Sequence, residues 1–100
     1  MAKYELTKKA VEDLADIWNY TYENWSEHQA DKYYRLLIES FKEIAATPSI
    51  GKNYSGIVES LRGFKVGRHI VFFRELEDRT VEIIRILHEQ MDLKNRIIEK

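Results

Sequence analysis

Residues 61–88 read LRGFKVGRHIVFFRELEDRTVEIIRILH, three apolar runs separated by two short breaks. Leu61–Val66, His69–Leu76 and Thr80–His88 have the length and the β-branched and aromatic content of strands. Gly67-Arg68 suits a two-residue hairpin loop and Glu77-Asp78-Arg79 a three-residue one. A three-residue loop pairs Leu76 with Thr80 and so brings Arg74 opposite Glu82, a favourable cross-strand pair that supports the register. The first turn places Val66 opposite His69. The stretch therefore predicts an antiparallel meander.

Strict alternation puts Arg62, Phe64, Val66, His69, Val71, Phe73, Ile83, Arg85 and Leu87 on one face of that meander. Leu61, Gly63, Ile70, Phe72, Ile84, Ile86 and His88 fall on the other. Both faces are apolar, and a single helical hairpin covers one of them. The expectation is that the hairpin packs on Ile70, Phe72, Ile84 and Ile86. The face with Arg62, Phe64, His69, Phe73 and Arg85, with His88 at the strand end, then forms a partly open groove for a protein partner. The alternative is that the C-terminal segment folds back over it. Arg85 lies inside an apolar run and must be satisfied, either by a structural ion pair with Glu59 or Asp92 or by an acidic group of a partner.

Upstream of the meander the pattern is helical. Tyr4 to Leu6 reads as an edge strand, and Thr7 as the N-cap of a helix of about five turns. Val11, Leu14, Trp18 and Trp25, with Ala15 and Tyr22 beside them, are expected to line its apolar side. The chain breaks at Asn24 to Ser26, and Ser26 with Gln29 has capping-box spacing. Ala30, Tyr33, Tyr34, Leu37, Ile38, Phe41, Ile44 and Ala45 recur at three- and four-residue steps, until Thr47-Pro48 ends the helix. The short connection makes the two helices an antiparallel hairpin. Residues 47–60 read as a loop, and the chain closes after Met91 with a short helix or tail. One domain over residues 1–100, of α+β class, is the expected architecture.

Composition narrows the function. A net charge of −1 lacks the cationic surplus of a dedicated nucleic-acid binder. The chain has no Cys, so disulfides, thiolate metal sites and thiol nucleophiles are ruled out. No signal peptide and no run of about 20 apolar residues is visible, so a cytoplasmic protein is expected. No metal-ligand spacing and no phosphate-binding glycine loop occurs, so neither metal nor cofactor is expected. His69 and His88 could act as acid or base, but neither has a sequence-local nucleophile or orienting carboxylate. Trp18, Trp25, Tyr33 and Tyr34 read as core by their spacing, whereas Tyr20 falls off the stripe and is the better candidate for a surface contact.

Three further segments carry a resemblance. Leu61-Arg62-Gly63, Gly67 to Arg74, and Ile84-Arg85-Ile86-Leu87-His88-Glu89-Gln90-Met91-Asp92 are similar to the ParE branch of the RelE/ParE toxins. Ala10, Asp13, Leu14, Ile17 and Tyr20, and later Gln29, Ala30 and Tyr33, fit the same pattern. The His-x-x-x-Asp ending after an apolar strand is its most specific part. The resemblance implies a toxin of a type II toxin–antitoxin pair, a hetero-oligomer with a ParD-like antitoxin that lays an extended and helical segment along it. It implies inhibition of DNA gyrase, with no catalytic residue of its own. The sequence departs from the pattern at Gln90, where many relatives carry Arg. RelE-like relatives instead cut messenger RNA on the ribosome. By strand alignment their basic positions correspond here to Ser60, Arg62, His69 and Glu89, and only Arg62 keeps a permanent positive charge. A non-toxic binding module of the same fold is the third reading.

Overall fold

The computed structural model describes residues 3–98. In chain order it comprises β1 (Tyr4–Leu6), α1 (Lys8–Asn24), α2 (Glu27–Ala46), a 3-10 turn (Pro48–Ile50), β2 (Lys52–Asn53), β3 (Arg62–Val66), β4 (His69–Glu75), β5 (Val81–His88) and α3 (Leu93–Ile98). The strands form one sheet in the order β1-β5-β4-β3-β2. The three expected strands and the helical hairpin stand within a residue or two of their predicted limits. The short β2, paired with β3, was not anticipated, and β1 joins the edge parallel to β5, so the sheet is mixed.

Local chemistry accounts for the boundaries. Thr7 Oγ1 accepts from the Ala10 amide and Ser26 Oγ from the Gln29 amide, each satisfying a helix N–H that has no intrahelical partner. Gly67 opens the β3–β4 turn at φ +59°, and a Cβ there would lie 2.7 Å from the Tyr33 hydroxyl. Only glycine meets both conditions at low cost. At the second turn the Leu76 amide donates to Thr80 O, and Arg74 pairs with Glu82 at 2.8 Å. Both predicted registers, Arg74 with Glu82 and Val66 with His69, are present.

The faces differ from strict alternation. Phe73 pairs with Ile83 but Phe72 pairs with Arg85, so Ile84 is an extra residue and β5 bulges. Beyond the bulge the parity flips: Ile86 joins Val71, whereas Arg85 and Leu87 align with Phe72 and Ile70. The hairpin also packs on the opposite face from the one expected. Leu14, Leu37, Phe41 and Ile44 bury Val66, Val71, Phe73, Val81, Ile83 and Ile86, with Phe64 partly buried beside them. The physical reason is polarity. The other face carries Gly63, Lys65 and the Arg74–Glu82 pair, which leaves a smaller apolar patch of Leu61, Ile70, Phe72 and Leu87.

That patch is covered by the chain itself. Tyr54, Ile57 and Val58 of the β2–β3 loop, with Leu93 and Ile97 of α3, pack on it. Tyr54 meets Phe72 edge-on at 5.1 Å, a close approach permitted because Gly63 beneath it has no Cβ. The return of the C-terminal segment, given above as the alternative to an open groove, therefore occurs, but on the Phe72 face. On α1 the inward stripe is Ala10, Leu14 and Ile17; Val11, Ala15, Tyr22 and Trp25, expected inside, are exposed.

Candidate functional site

Phe73 cannot line an open groove, because it has no exposed surface under the hairpin. Phe64 is half-buried at the margin of the same core. Arg85 is 8% exposed, and its partner is neither Glu59 nor Asp92. Its Nε and Nη2 donate to the two carboxylate oxygens of Asp13 at 2.7 and 2.9 Å. The same Asp13 accepts the Ile86 amide at 3.0 Å, and Arg85 Nη1 donates to the Arg96 carbonyl at 2.8 Å. One ion pair thus ties α1, the outer edge of β5 and α3 together. It takes over where β1 stops: the Thr7 hydroxyl covers the Ile84 carbonyl and Asp13 the next free amide along that edge.

Between α1 and the end of β5 lies a cleft of about 160 Å³, lined by Asp13, Asp16, Ile17, His69, Arg85, Ile86, Leu87, His88, Met91 and Arg96. His69 and His88 face each other across β4 and β5, their rings edge-on at 5.4 Å. His69 Nδ1 lies 2.7 Å from the Tyr33 hydroxyl, which also donates to Val66 O at 3.0 Å and accepts from the Arg68 amide at 3.3 Å. All three contacts are satisfied together when His69 carries its proton on Nδ1, leaving Nε2 as an acceptor. Burial, and then the neighbouring His88, lower the His69 pKa to about 4, so the ring is neutral at pH 7. Burial likewise raises the Tyr33 phenol and keeps it protonated.

The sign of the His69 effect can be checked. Because the folded pKa lies below the ordinary 6.5, the unfolded chain takes up a proton between pH 6.5 and 4 that the folded chain does not. Stability is therefore full above about pH 6.5 and falls as pH drops toward 4. At 1.36 kcal/mol per unit the whole shift is about 3 kcal/mol, which water at this half-open position reduces to about 1–2 kcal/mol. Urea midpoints measured from pH 7 to 4.5 should fall more steeply for the native chain than for His69→Asn; parallel curves would contradict this.

The remaining sequence-stretch candidates lie elsewhere. Arg62 is exposed and lines a separate polar cleft of about 430 Å³ with Asn53, Ser55, Glu59, Ser60, Leu61 and Glu75. Glu89 pairs with Lys65 at 2.9 Å, which holds its carboxyl below the usual range. Tyr20 is exposed, as expected. The His-x-x-x-Asp ending is a local frame: His88 Nδ1 accepts the Gln90 amide, and Asp92 accepts from the amide and side chain of Asn95 at the start of α3. Two participants went unassigned from sequence, Tyr33 as the partner of His69 and Asp13 as that of Arg85. The signal for Asp13 was an acid bordering the Ala10–Leu14–Ile17 stripe, matched to a cation inside an apolar strand. Among the described residues no cluster of His and carboxylates suited to a metal ion occurs, and no helix is long and apolar enough to cross a membrane.

A helical hairpin on one face of a small mixed sheet, with a half-polar cleft at the strand ends, defines an α+β domain of the RelE/ParE kind. The chain belongs to the ParE toxin family: the model described as "ParE toxin of type II toxin-antitoxin system, parDE" matches residues 4–93. It is 32% identical over 96 residues to Toxin ParE1 of Mycobacterium tuberculosis, covering 96% of this chain and 98% of that one. With Toxin ParE1 of Caulobacter vibrioides it shares 36% identity over 94 residues, covering 94% and 96% of the two chains. Among solved structures, a chain of the chromosomal ParDE toxin–antitoxin system from P. aeruginosa has the same fold, with a TM-score of 0.73 at 21% identity over 88% of this chain and 96% of that one. A chain of the toxin–antitoxin complex RelBE2 from Mycobacterium tuberculosis follows at 0.66 and 18% identity, over 88% and 98% of the two chains. The protein is a ParE-type toxin of a type II toxin–antitoxin system.

Proposed function

We propose that this toxin acts in the cytoplasm by inhibiting DNA gyrase, without catalysis of its own, and that a ParD-like antitoxin neutralises it. Family membership supports the target and the partner. The observation that carries the non-nuclease part is the scatter of the residues aligned with the RelE cleavage set. Arg62 pairs with Phe73 and His69 with Val66, four residues further along β3. That is about 13 Å at 3.3–3.4 Å per residue, and the two side chains open into different clefts, His69 beside His88 and Arg62 beside Glu59 and Glu75. Glu89 adds a negative charge, and Ser60 stays beside Arg62 in the other cleft.

For the antitoxin, Arg62, His69 and His88 are the contact residues, with Phe64 at its exposed margin. Phe73 and Arg85 contribute by holding the fold. Purified toxin added to gyrase and relaxed plasmid should abolish supercoiling and accumulate cleaved DNA, and the antitoxin should reverse both effects. Supercoiling untouched at concentrations that arrest growth would overturn the proposal. Ribosome-dependent message cleavage that disappears in His69→Ala would replace it with the nuclease reading.

A further inference from the structure

The two histidines of the cleft are held in opposite tautomers. The Tyr33 hydroxyl gives its one proton to Val66 O, so its 2.7 Å contact with His69 Nδ1 requires a proton on that nitrogen. At the facing position on β5, His88 Nδ1 accepts the Gln90 amide at 3.1 Å. That bond requires a lone pair on Nδ1 and places the His88 proton on Nε2. His69 Nε2 is thus an acceptor and His88 Nε2–H a donor. Neither has a hydrogen-bond partner among the described residues, and among them no side-chain nitrogen or oxygen without a partner is buried. Both atoms therefore reach solvent, and both residues line the same cleft. With ring centroids 5.4 Å apart, the two nitrogens are within reach of one small group through two hydrogen bonds of ~2.9 Å.

An acceptor beside a donor selects what enters. The charges of the lining cancel: Asp13 and Arg85 satisfy each other, and exposed Asp16 is matched by exposed Arg96. A carboxylate would set a lone pair against His69 Nε2, and an ammonium a proton against His88 Nε2–H. A neutral group with a carbonyl oxygen and an N–H side by side satisfies both rings. At about 160 Å³ the cleft falls short of the ~300–1,000 Å³ that takes a cofactor-sized ligand, so it admits the end of a side chain. Its apolar wall of Ile17, Ile86, Leu87 and Met91 is aliphatic and offers a nucleic-acid base no Phe, Tyr or Trp to stack on. We propose that the cleft is a carboxamide socket, which takes an Asn or Gln side chain of the antitoxin. The carboxamide oxygen accepts from His88 Nε2–H and its N–H donates to His69 Nε2. This rests on the reading above that the antitoxin contacts His69 and His88. Tyr33 is the positioning residue, acting through the His69 ring.

Proton–nitrogen NMR of the imidazoles in the isotope-labelled full chain at pH 7 tests this, since the chain has only 3 His to assign. His69 should show its unprotonated nitrogen at Nε2 and His88 at Nδ1. Propionamide should move both Nε2 signals and saturate at least tenfold tighter than propionate or propylammonium. Tyr33→Phe, with its circular dichroism kept, should return His69 to a mixture of tautomers and remove the preference for propionamide, which lost packing alone would not do. The same tautomer in both rings, an equal response to the three probes, or no response to any would overturn the socket. Antitoxin added in place of the probes separates the two ideas. If it moves both signals and propionamide does not, the antitoxin contact is supported and the socket is overturned. If propionamide binds selectively and the antitoxin leaves both signals unmoved, the socket is supported and the antitoxin contact is overturned.

Discussion

Asp13→Ala is expected to cost about 3–5 kcal/mol of folding stability, the usual penalty for breaking a buried ion pair from one side. The carboxylate holds Arg85 through both oxygens and also accepts the Ile86 amide, and the two side chains are only 12% and 9% exposed. Removing it takes two of the guanidinium's acceptor contacts and that of a backbone N–H, while the bond from Arg85 to the Arg96 carbonyl stays. For a domain of this size that is a large share of the total. The pair itself, however, offsets little more than its own desolvation. The double variant Asp13→Leu/Arg85→Met should therefore recover most of the loss, because it removes both charges and fills the space. Urea unfolding of the three proteins at pH 7 tests this. A single variant within 1 kcal/mol of the native chain, or a double variant no better than the single, would show that the pair is not the tie between α1, β5 and α3.

Phe73→Ala should cost about 3–5 kcal/mol, as does truncation of a fully buried aromatic ring. Phe73 has no exposed surface and sits among Phe41, Ile44, Val71 and Ile83 in the core beneath the hairpin. On an open groove the same substitution would cost about 0.5 kcal/mol or less. The result thus separates the two possible seatings of the hairpin on the sheet. Toxicity should fall with stability, while the antitoxin affinity of the fraction that remains folded should be unchanged. Loss of antitoxin affinity without loss of stability would return Phe73 to the partner surface.

Both effects arise where reading the sequence stopped short. The helical hairpin, the three long strands, the two turns and the Arg74–Glu82 register were legible because each rests on short-range chemistry. A cap three residues from its amide, a glycine at positive φ, a proline after a helix and an alternation within one strand are all local. Of the site, His69 and His88 were legible as strand-end residues, but strict alternation set them on opposite faces, and only the bulge at Ile84 pairs them. The stripe of Val11, Ala15, Tyr22 and Trp25 was legible but was assigned to the interior, whereas these residues are exposed. Two apolar stripes run side by side on α1, and spacing alone does not say which one the sheet takes.

The sequence by itself determined the helical hairpin, the three long strands, the turns that join them and, through the His88 to Asp92 ending, the resemblance to the family. The tertiary structure decided which face of the sheet the helices cover, and so which residues face a partner. One extra residue at Ile84 inverts the parity of the last half of β5, and a bulge leaves no mark in an apolar run such as Ile83 to Leu87. The ion pair that anchors that segment joins residues 72 positions apart. A contact at that separation depends on how two layers are stacked, and the choice between two apolar faces is made by their whole area and polarity, which no single residue carries.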